Sequence, residues 1–293
     1  MGALGQSANR SMFEFRNDFW VNLHHFLLHQ SSAGDQIPLP DSLSASERNI
    51  WLAALRDYRE RFDKKNRLDP AMVAVKNAIE NHEHEASLAA THLDPELIAS
   101  LERAAPVYRT HWWSEHSKTN AAWIADLSGL LAKYEVAIAN RLPIVYATPW
   151  PASQIRVDVT WYGPDETAYT SFDPLRTVVA SSDPRNKGTN GMEILFHEAS
   201  HGLVEKLRHA ISEAQRAQRK HLPRQDLWHA MLFYTTGQVV AAAVNGHVPY
   251  ADSEKLWERS WPGHREVFEL DWKPWIEGRA TFDEAVKRVV AAL

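Results

Sequence analysis

The pattern His-Glu-x-x-His, formed by His197, Glu198 and His201, is the stretch whose residue types and spacing could do chemistry. In an α-helix, histidines four residues apart lie about 40° from each other around the axis and about 6 Å apart along it, so both imidazoles can reach one metal ion. The glutamate between them can take a proton from a water molecule that the metal activates. The pattern predicts a catalytic zinc site.

The surrounding residues favour a helix that carries this pattern on one side. Asn190 and Glu193 have the spacing of a capping box, which predicts that the helix starts there. On roughly the opposite side, apolar residues recur at helical spacing, at Met192, Phe196, Ala199, Leu203 and Leu207. Such a helix buries one face and presents the motif on the other. The alternative to a metal site is that the two histidines are merely structural or solvated.

The first 141 residues predict an α-helical N-terminal lobe. Residues 19–29 carry apolar side chains at helical spacing, and a capping box of Ser44 and Glu47 opens a helix to Phe62. Asp69-Pro70 and Asp94-Pro95 each place an N-cap before a proline at the first helical position. A longer amphipathic run over 120–140 closes this lobe.

Two histidines beside paired tryptophans form a second group of interest. Pro106 predicts the start of another helix, which would place His111, Glu115 and His116 within about a turn and a half. Core tryptophans with hydrogen-bonded histidines are one interpretation. A role of His111 and His116 in substrate binding is the other.

The residues from 142 onwards predict a lobe that begins with a small sheet. Residues 144–148 form a short β-prone run, and residues 155–162 alternate apolar with polar side chains, as a half-buried strand does. Residues 163–166 predict a turn, after which 167–172 return as the second strand of a hairpin. Residues 177–182 predict a further strand. The fold class is therefore α+β and mostly α, with an N-terminal lobe over 1–141 and a catalytic lobe over 142–293.

A small sheet, then the His-Glu-x-x-His helix, then another helix with polar residues resembles the zincin metallopeptidases, and is most similar in layout to their gluzincin branch, over residues 143–246. The resemblance implies that His197 and His201 bind zinc and that Glu198 is the general base. It also implies that the strand before the helix is an edge along which an extended peptide pairs. This would place the substrate beside Val179, Ala180 and Ser181.

The third ligand departs from the pattern of this group. Val204 and Leu207 stand where a metzincin would continue its motif with Gly and His. A gluzincin would offer a glutamate from a later helix, but Glu205 and Glu213 belong to the motif helix or its extension. Between Gly202 and Tyr250 the sequence therefore offers no glutamate from a facing helix.

His229 is the predicted third ligand, because an imidazole inside an otherwise apolar helix is costly unless it is bound or hydrogen-bonded. Asp226 is an alternative, and it could equally cap this helix or accept a hydrogen bond from a ligand's second nitrogen. Other side chains that remain open as ligands are His221, His247, Glu254 and Glu258. A neutral histidine in place of a carboxylate would make the site more positive, which favours ionisation of its water.

The predicted function is a zinc-dependent metallopeptidase that binds one Zn2+ per chain and hydrolyses a peptide or protein substrate. A neutral donor must stabilise the oxyanion, and the candidates are Tyr234, His111 and His116. Two other classes stay open: a zincin-fold hydrolase of a non-peptide substrate, and a non-catalytic metal-binding or interaction protein.

Composition narrows the remaining possibilities. A net charge of -5 without a Lys/Arg run argues against nucleic-acid binding, and the absence of cysteine leaves only histidines and carboxylates as zinc ligands. No apolar run approaches the length of a membrane span, and residues 1–10 lack the features of a signal peptide. Structured-looking sequence begins at Phe13, which also fits an exported protein whose leader has been removed, so both an exported and a cytoplasmic location stay open. The oligomeric state is not predicted.

Overall fold

A computed structural model describes residues 11–32, 39–63, 65–83, 85–151, 153–163, 167–222 and 226–293. The chain is mostly helical with one four-stranded sheet, which confirms the α+β, mostly α class. It divides into two compact units. The helical-core unit comprises Phe15–Ser128 and Val157–Glu198, and the C-terminal unit comprises Met1–Glu14, Gly129–Arg156 and Ala199–Leu293.

Five helices occupy the N-terminal part of the chain. They are α1 (Phe19–Ser31), α2 (Ala45–Phe62), α3 (Pro70–Glu80), α4 (Pro95–Tyr108) and α5 (Ser114–Tyr146). The capping box of Ser44 and Glu47 is present, and the Asp94 carboxylate accepts the N–H groups of Glu96 and Leu97. The predicted starts of α2, α3 and α4 are therefore confirmed, and Ser44 and Asp94 satisfy backbone N–H groups that have no partner within the helix, whereas the Asp69 side chain makes no such bond.

Two predictions in this region are wrong. Pro106 lies inside α4 and starts no new helix, because a π-helical turn over Arg109–Trp113 follows it and joins α4 directly to α5. The β-prone run 144–148 is helical as far as Tyr146, because it continues the long α5. The predicted lobe boundary between residues 141 and 142 consequently lies inside a helix, and the two compact units divide the chain elsewhere.

Packing in the helical-core unit involves α1, α2 and α4 around a dense set of aromatic side chains. Trp51 and Tyr58 of α2 are fully buried there, as are Phe26 of α1 and Tyr108 of α4. The Phe26 ring packs at a tilt against the rings of Trp51 and Tyr108, which adds to the stabilisation from the area they bury.

The sheet contains β1 (Phe13–Arg16), β2 (Ile155–Thr160), β3 (Ala168–Ser171) and β4 (Arg176–Ala180), in the order β1-β2-β4-β3. Three of these strands are as predicted, whereas β1 was not. The predicted hairpin of 155–162 with 167–172 is wrong: β3 pairs antiparallel with β4, from Ala168 opposite Val179 to Ser171 opposite Arg176. The short connection over 172–175 places these two strands side by side.

The motif helix, α6, spans Gly188–Ser200 and ends earlier than its apolar pattern predicts. A 3-10 turn over His201–Leu203 follows, and α7 (Glu205–Gln218) then starts a new helix. Gly202 lies in this turn, and glycine costs about 1 kcal/mol relative to alanine inside a helix, which favours a break here. The predicted start at Asn190 is also wrong, because α6 begins at Gly188.

Six further α-helices lie among the described residues from Leu227 onwards. They are α8 (Leu227–Ala243), α9 (Tyr250–Ser253), α10 (Leu256–Arg259), α11 (His264–Val267), α12 (Lys273–Ile276) and α13 (Phe282–Ala292). The predicted capping box of Thr281 and Glu284 opens α13. Among the described residues, no helix is both long enough and apolar enough to cross a membrane.

Candidate metal centre

Three histidines converge at the end of the motif helix. One ring nitrogen from each of His197, His201 and His229 lies within 4.8 Å of the others. Tetrahedral zinc with Zn–N bonds of about 2.0 to 2.1 Å holds its ligand nitrogens about 3.4 Å apart, a separation within this 4.8 Å limit. The donor set therefore fits a metal ion with three histidine ligands.

Local backbone geometry brings these histidines together. His197 lies in the last turn of α6, and His201 is the first residue of the 3-10 turn that ends it, so the two remain about one turn apart. His229 lies in the first turn of α8, whose N-terminus is Leu227. The third histidine of the cluster thus lies on a separate helix, and it is the residue predicted as the third ligand.

Aromatic rings pack against two of the three histidines, His201 and His229, which are half-buried. The His229 ring lies 5.3 Å from that of His201 and 5.0 to 5.8 Å from those of Trp228, Phe233 and Trp261, measured between centroids. Burial lowers the pKa of His201 to about 3 and that of His229 to about 4. Both imidazoles are therefore neutral near pH 7, which is the form that binds a metal.

Glu198 is held beside this cluster by the sheet. The Thr170 hydroxyl, on β3, lies 2.8 Å from Oε2 of Glu198 and donates to it, while the Thr177 hydroxyl of β4 lies 3.2 Å from that of Thr170. Burial raises the pKa of Glu198 to about 7, and the Thr170 hydrogen bond and the nearby charge of Arg67 partly oppose this. The carboxyl group can therefore both accept and return a proton near neutral pH.

Asp226 and Glu254, the alternative ligands, are not part of the cluster. Asp226 precedes α8 and makes no side-chain cap. Its Oδ2 accepts the Nε1–H of Trp261 at 3.2 Å, which fixes a ring that packs on His229. Asp226 also raises the pKa of His229, against the larger effect of burial. Asp226 thus affects His229 in two ways, through its charge and through the Trp261 ring that it holds.

Tyr234, the first candidate for the oxyanion donor, lies on another side of α8. Five residues separate it from His229, which corresponds to about 140° around the helix axis. Its ring packs against Trp257 and Phe268, and its pKa is raised by burial and by the nearby Glu269 carboxylate. The structure does not bring Tyr234 together with the histidines, and its catalytic role stays a prediction.

His111 and His116 occupy different environments in the helical-core unit. Nε2 of His111 lies 3.2 Å from the Glu47 carboxylate. His116 is buried: its Nδ1 lies 2.9 Å from the Tyr108 hydroxyl, and its ring stacks on Trp161. These contacts agree with the interpretation of hydrogen-bonded core histidines, and neither residue is in the metal cluster.

The prediction that the strand before the motif helix is an edge of the sheet is wrong. β4 lies between β2 and β3, so both of its sides are already paired. Val179, Ala180 and Ser181 are almost fully buried and offer no free strand edge. Among the described strands β3 is the edge nearest the motif along the chain, and it also carries Thr170.

Sequence reasoning missed Thr170 and Arg67. Thr170 is one of several threonines in β-prone segments, and Arg67 lies in the connection between α2 and α3. No spacing in the sequence links either residue to Glu198, because both approach it only through the tertiary fold. The residue pattern of 167–172 predicted a strand there, but it did not predict that Thr170 on this strand would contact Glu198.

Comparison with known proteins gives no relative from which a role could be transferred. No protein-family model, curated protein or solved structure matches this chain. Its function must be inferred from the site itself.

Proposed function

We propose that the protein is a zinc-dependent metallopeptidase with a zincin-like active site. The observation that carries this proposal is the convergence of His197, His201 and His229 next to the buried Glu198. When bound, zinc supplies a Lewis acid that polarises a carbonyl group and lowers the pKa of water to about 7. Three neutral histidines leave the ion its full positive charge and leave one position open.

Glu198 is the general base in this proposal. It accepts a proton from the attacking water and returns it to the leaving amine, which requires a carboxyl group whose pKa lies near neutral. Burial supplies that pKa of about 7. Thr170 is a positioning residue, because its hydroxyl holds one carboxylate oxygen and leaves the side chain little freedom to rotate.

Glu198→Gln tests the catalytic proposal, with elemental analysis to follow the metal. The purified protein should contain about one zinc per chain, and the variant should keep it while kcat/KM falls by about a thousandfold, because a proton acceptor is lost and a ligand is not. Glu205→Gln, an exposed change at the start of α7, is the matched control and should have no effect.

A peptide and ester panel separates the other classes of function. Cleavage of esters without any peptide would favour a non-peptide hydrolase. Stoichiometric zinc with no hydrolysis would favour a metal-binding protein. Equal activity of Glu198→Gln and the wild type would exclude the proposed mechanism.

A further inference from the structure

A cavity of about 240 Å3 lies in the helical-core unit. Side chains of α1, α2, α3 and β3 and of the connection after α2 line it. Its inner end is made by buried side chains, among them Tyr58, Met72 and Tyr169, whereas Arg59 and Lys65 at its outer end are exposed. The volume corresponds to about eight water molecules, so the cavity can admit a small organic molecule from solvent.

Two histidines of α1, His25 and His29, line this cavity and have the four-residue spacing of the motif histidines, but His25 is not placed to bind a metal. Its Nδ1 lies 2.8 Å from the Val21 carbonyl oxygen, and its Nε2 lies 2.8 Å from the Tyr169 hydroxyl. Because a carbonyl can only accept, Nδ1 carries the proton and Nε2 accepts the Tyr169 O–H. Burial lowers the pKa of His25 to about 4, so near pH 7 the ring is neutral and both of its nitrogens are engaged.

The charge around the cavity is positive. Within the part of the chain that the structure describes, Arg59, Lys65 and Arg67 line it together with one carboxylate, that of Asp63. Arg59 and Lys65 are exposed, whereas Arg67 is half-buried and its charge is therefore less screened by water and salt. A guanidinium group presents N–H donors in a planar fork that matches the two oxygens of a carboxylate. The cavity therefore favours an anion.

Two of these cations lie over aromatic rings that line the same cavity. The Arg67 guanidinium is 5.3 Å from the centroid of the Tyr169 ring, and the Lys65 ammonium is 5.7 Å from that of the Phe62 ring. Contacts of this length attract a cation to a ring face. Met72 adds a further apolar side chain at the inner end. A single small occupant can thus contact a cation with one end and apolar surface with the other.

We propose that this cavity binds a small organic carboxylate, with the carboxylate at Arg67 and an apolar body against Phe62 and Met72. A compact acid such as benzoate or hexanoate would use both the charge and the apolar surface. Inorganic phosphate has no apolar body, and a neutral amide has no charge. Since all of the lining residues belong to the helical-core unit, the inference does not depend on the proposed peptidase function.

Isothermal titration with matched ligands tests the proposal. Because a carboxylate can also bind zinc, the titrations use wild-type protein treated with a chelator and, separately, the His229→Ala variant. At least one of benzoate and hexanoate should bind about tenfold tighter than its own amide, which measures the contribution of charge. The same acid should bind about tenfold tighter than acetate or inorganic phosphate, which measures the contribution of the apolar body.

Substitutions of the cations locate the charge effect. Arg67→Met keeps an unbranched side chain and should remove most of the difference between the acid and its amide. Lys65→Glu is an exposed change that should leave the fold intact, and it should weaken binding of the acid by about threefold to tenfold. Arg56→Glu makes the same change in net charge at an exposed position of α2 that does not line the cavity, so it is the matched control and should have no effect.

The methyl group of Met72 reports whether the ligand enters the cavity. The chain has five methionines, so the spectrum of protein labelled with 13C at the methionine methyl groups is simple, and Met72→Leu identifies the Met72 signal. Benzoate should shift this signal through its ring current. Met192 and Met231 do not line the cavity, and their signals are the internal controls.

Several outcomes would overturn the proposal. They are the absence of saturable binding of either acid, equal binding of each acid and its amide, and binding of acetate or phosphate as tight as that of the acids. An unchanged Met72 signal at saturating benzoate, or an equal effect of Arg56→Glu and Lys65→Glu, would place the binding elsewhere. Failure of the wild type to hydrolyse peptides would count against the peptidase function alone, because none of these measurements requires catalysis.

Discussion

Buried histidines occur in two regions of this molecule, and their partners differ. In the helical-core unit, a tyrosine hydroxyl lies 2.8 to 3.0 Å from a ring nitrogen of each of His24, His25 and His116. At the end of α6, three imidazoles instead converge on one another, with ligand atoms within 4.8 Å. The first arrangement satisfies single rings, whereas the second can hold an ion.

The pKa values do not separate these two regions. Burial lowers the pKa of His25 to about 4 and that of His116 to about 3, and it does the same to His229 and His201. A lowered pKa therefore reports burial in either place. What distinguishes the candidate metal centre is that ring nitrogens of its three histidines lie within 4.8 Å of one another.

The largest expected difference between the regions is in metal affinity. His229→Ala should weaken zinc binding by at least about 100-fold and abolish activity, because even changes behind a ligand cost about 10- to 100-fold. His116→Phe should keep zinc, although it leaves the buried Tyr108 hydroxyl without its partner and should cost about 1 to 3 kcal/mol of folding stability.

Competition with a zinc indicator and thermal unfolding would measure the two effects. A cooperative transition in His229→Ala would show that the loss of metal is local. Comparable zinc loss in both variants would remove the distinction between the regions.

The next largest expected effect is on the folding stability of the metal-free protein at acid pH. Histidine in the unfolded chain has a pKa near 6.5, and burial lowers that of His116 to about 3. Neutral His116 therefore makes its full contribution to the free energy of unfolding above pH 6.5. This contribution is lost as the pH falls towards 3, with about 2 kcal/mol lost by pH 5.

Urea unfolding at pH 7, 6 and 5 would test this. In His116→Phe the loss between pH 7 and 5 should be smaller by about 2 kcal/mol, because the titrating group is gone. Identical pH dependence in the variant and the wild type would contradict the assignment of His116 as a neutral core residue.

The smallest expected effect concerns the hydrogen bond between Thr170 and Glu198, beside the candidate metal centre. Thr170→Val should retain zinc but reduce kcat by about tenfold, because the hydrogen bond that orients Glu198 is lost. Thr170→Ser keeps the hydroxyl and should restore most of the rate. If the serine variant is as impaired as the valine variant, packing rather than the hydrogen bond is what matters.

Much of the local structure could be predicted from the sequence because its signals are local. The capping boxes at Ser44 and Thr281 satisfy the backbone N–H groups of their own first turns, whatever packs around them. The alternation along residues 155–162 likewise predicted β2. The break after Ser200 was missed, because the apolar period continues across it, with Leu203 and Leu207 both buried.

The sequence by itself determined which side chains are candidate ligands: two histidines about one helical turn apart with a glutamate between them, and His229 in an otherwise apolar helix. Only the tertiary structure decided that His229 meets the other two, that β3 and not β4 ends the sheet, and that Thr170 and Arg67 act on Glu198. Helical spacing is a property of consecutive residues, whereas strand order and the approach of distant side chains depend on how whole elements pack.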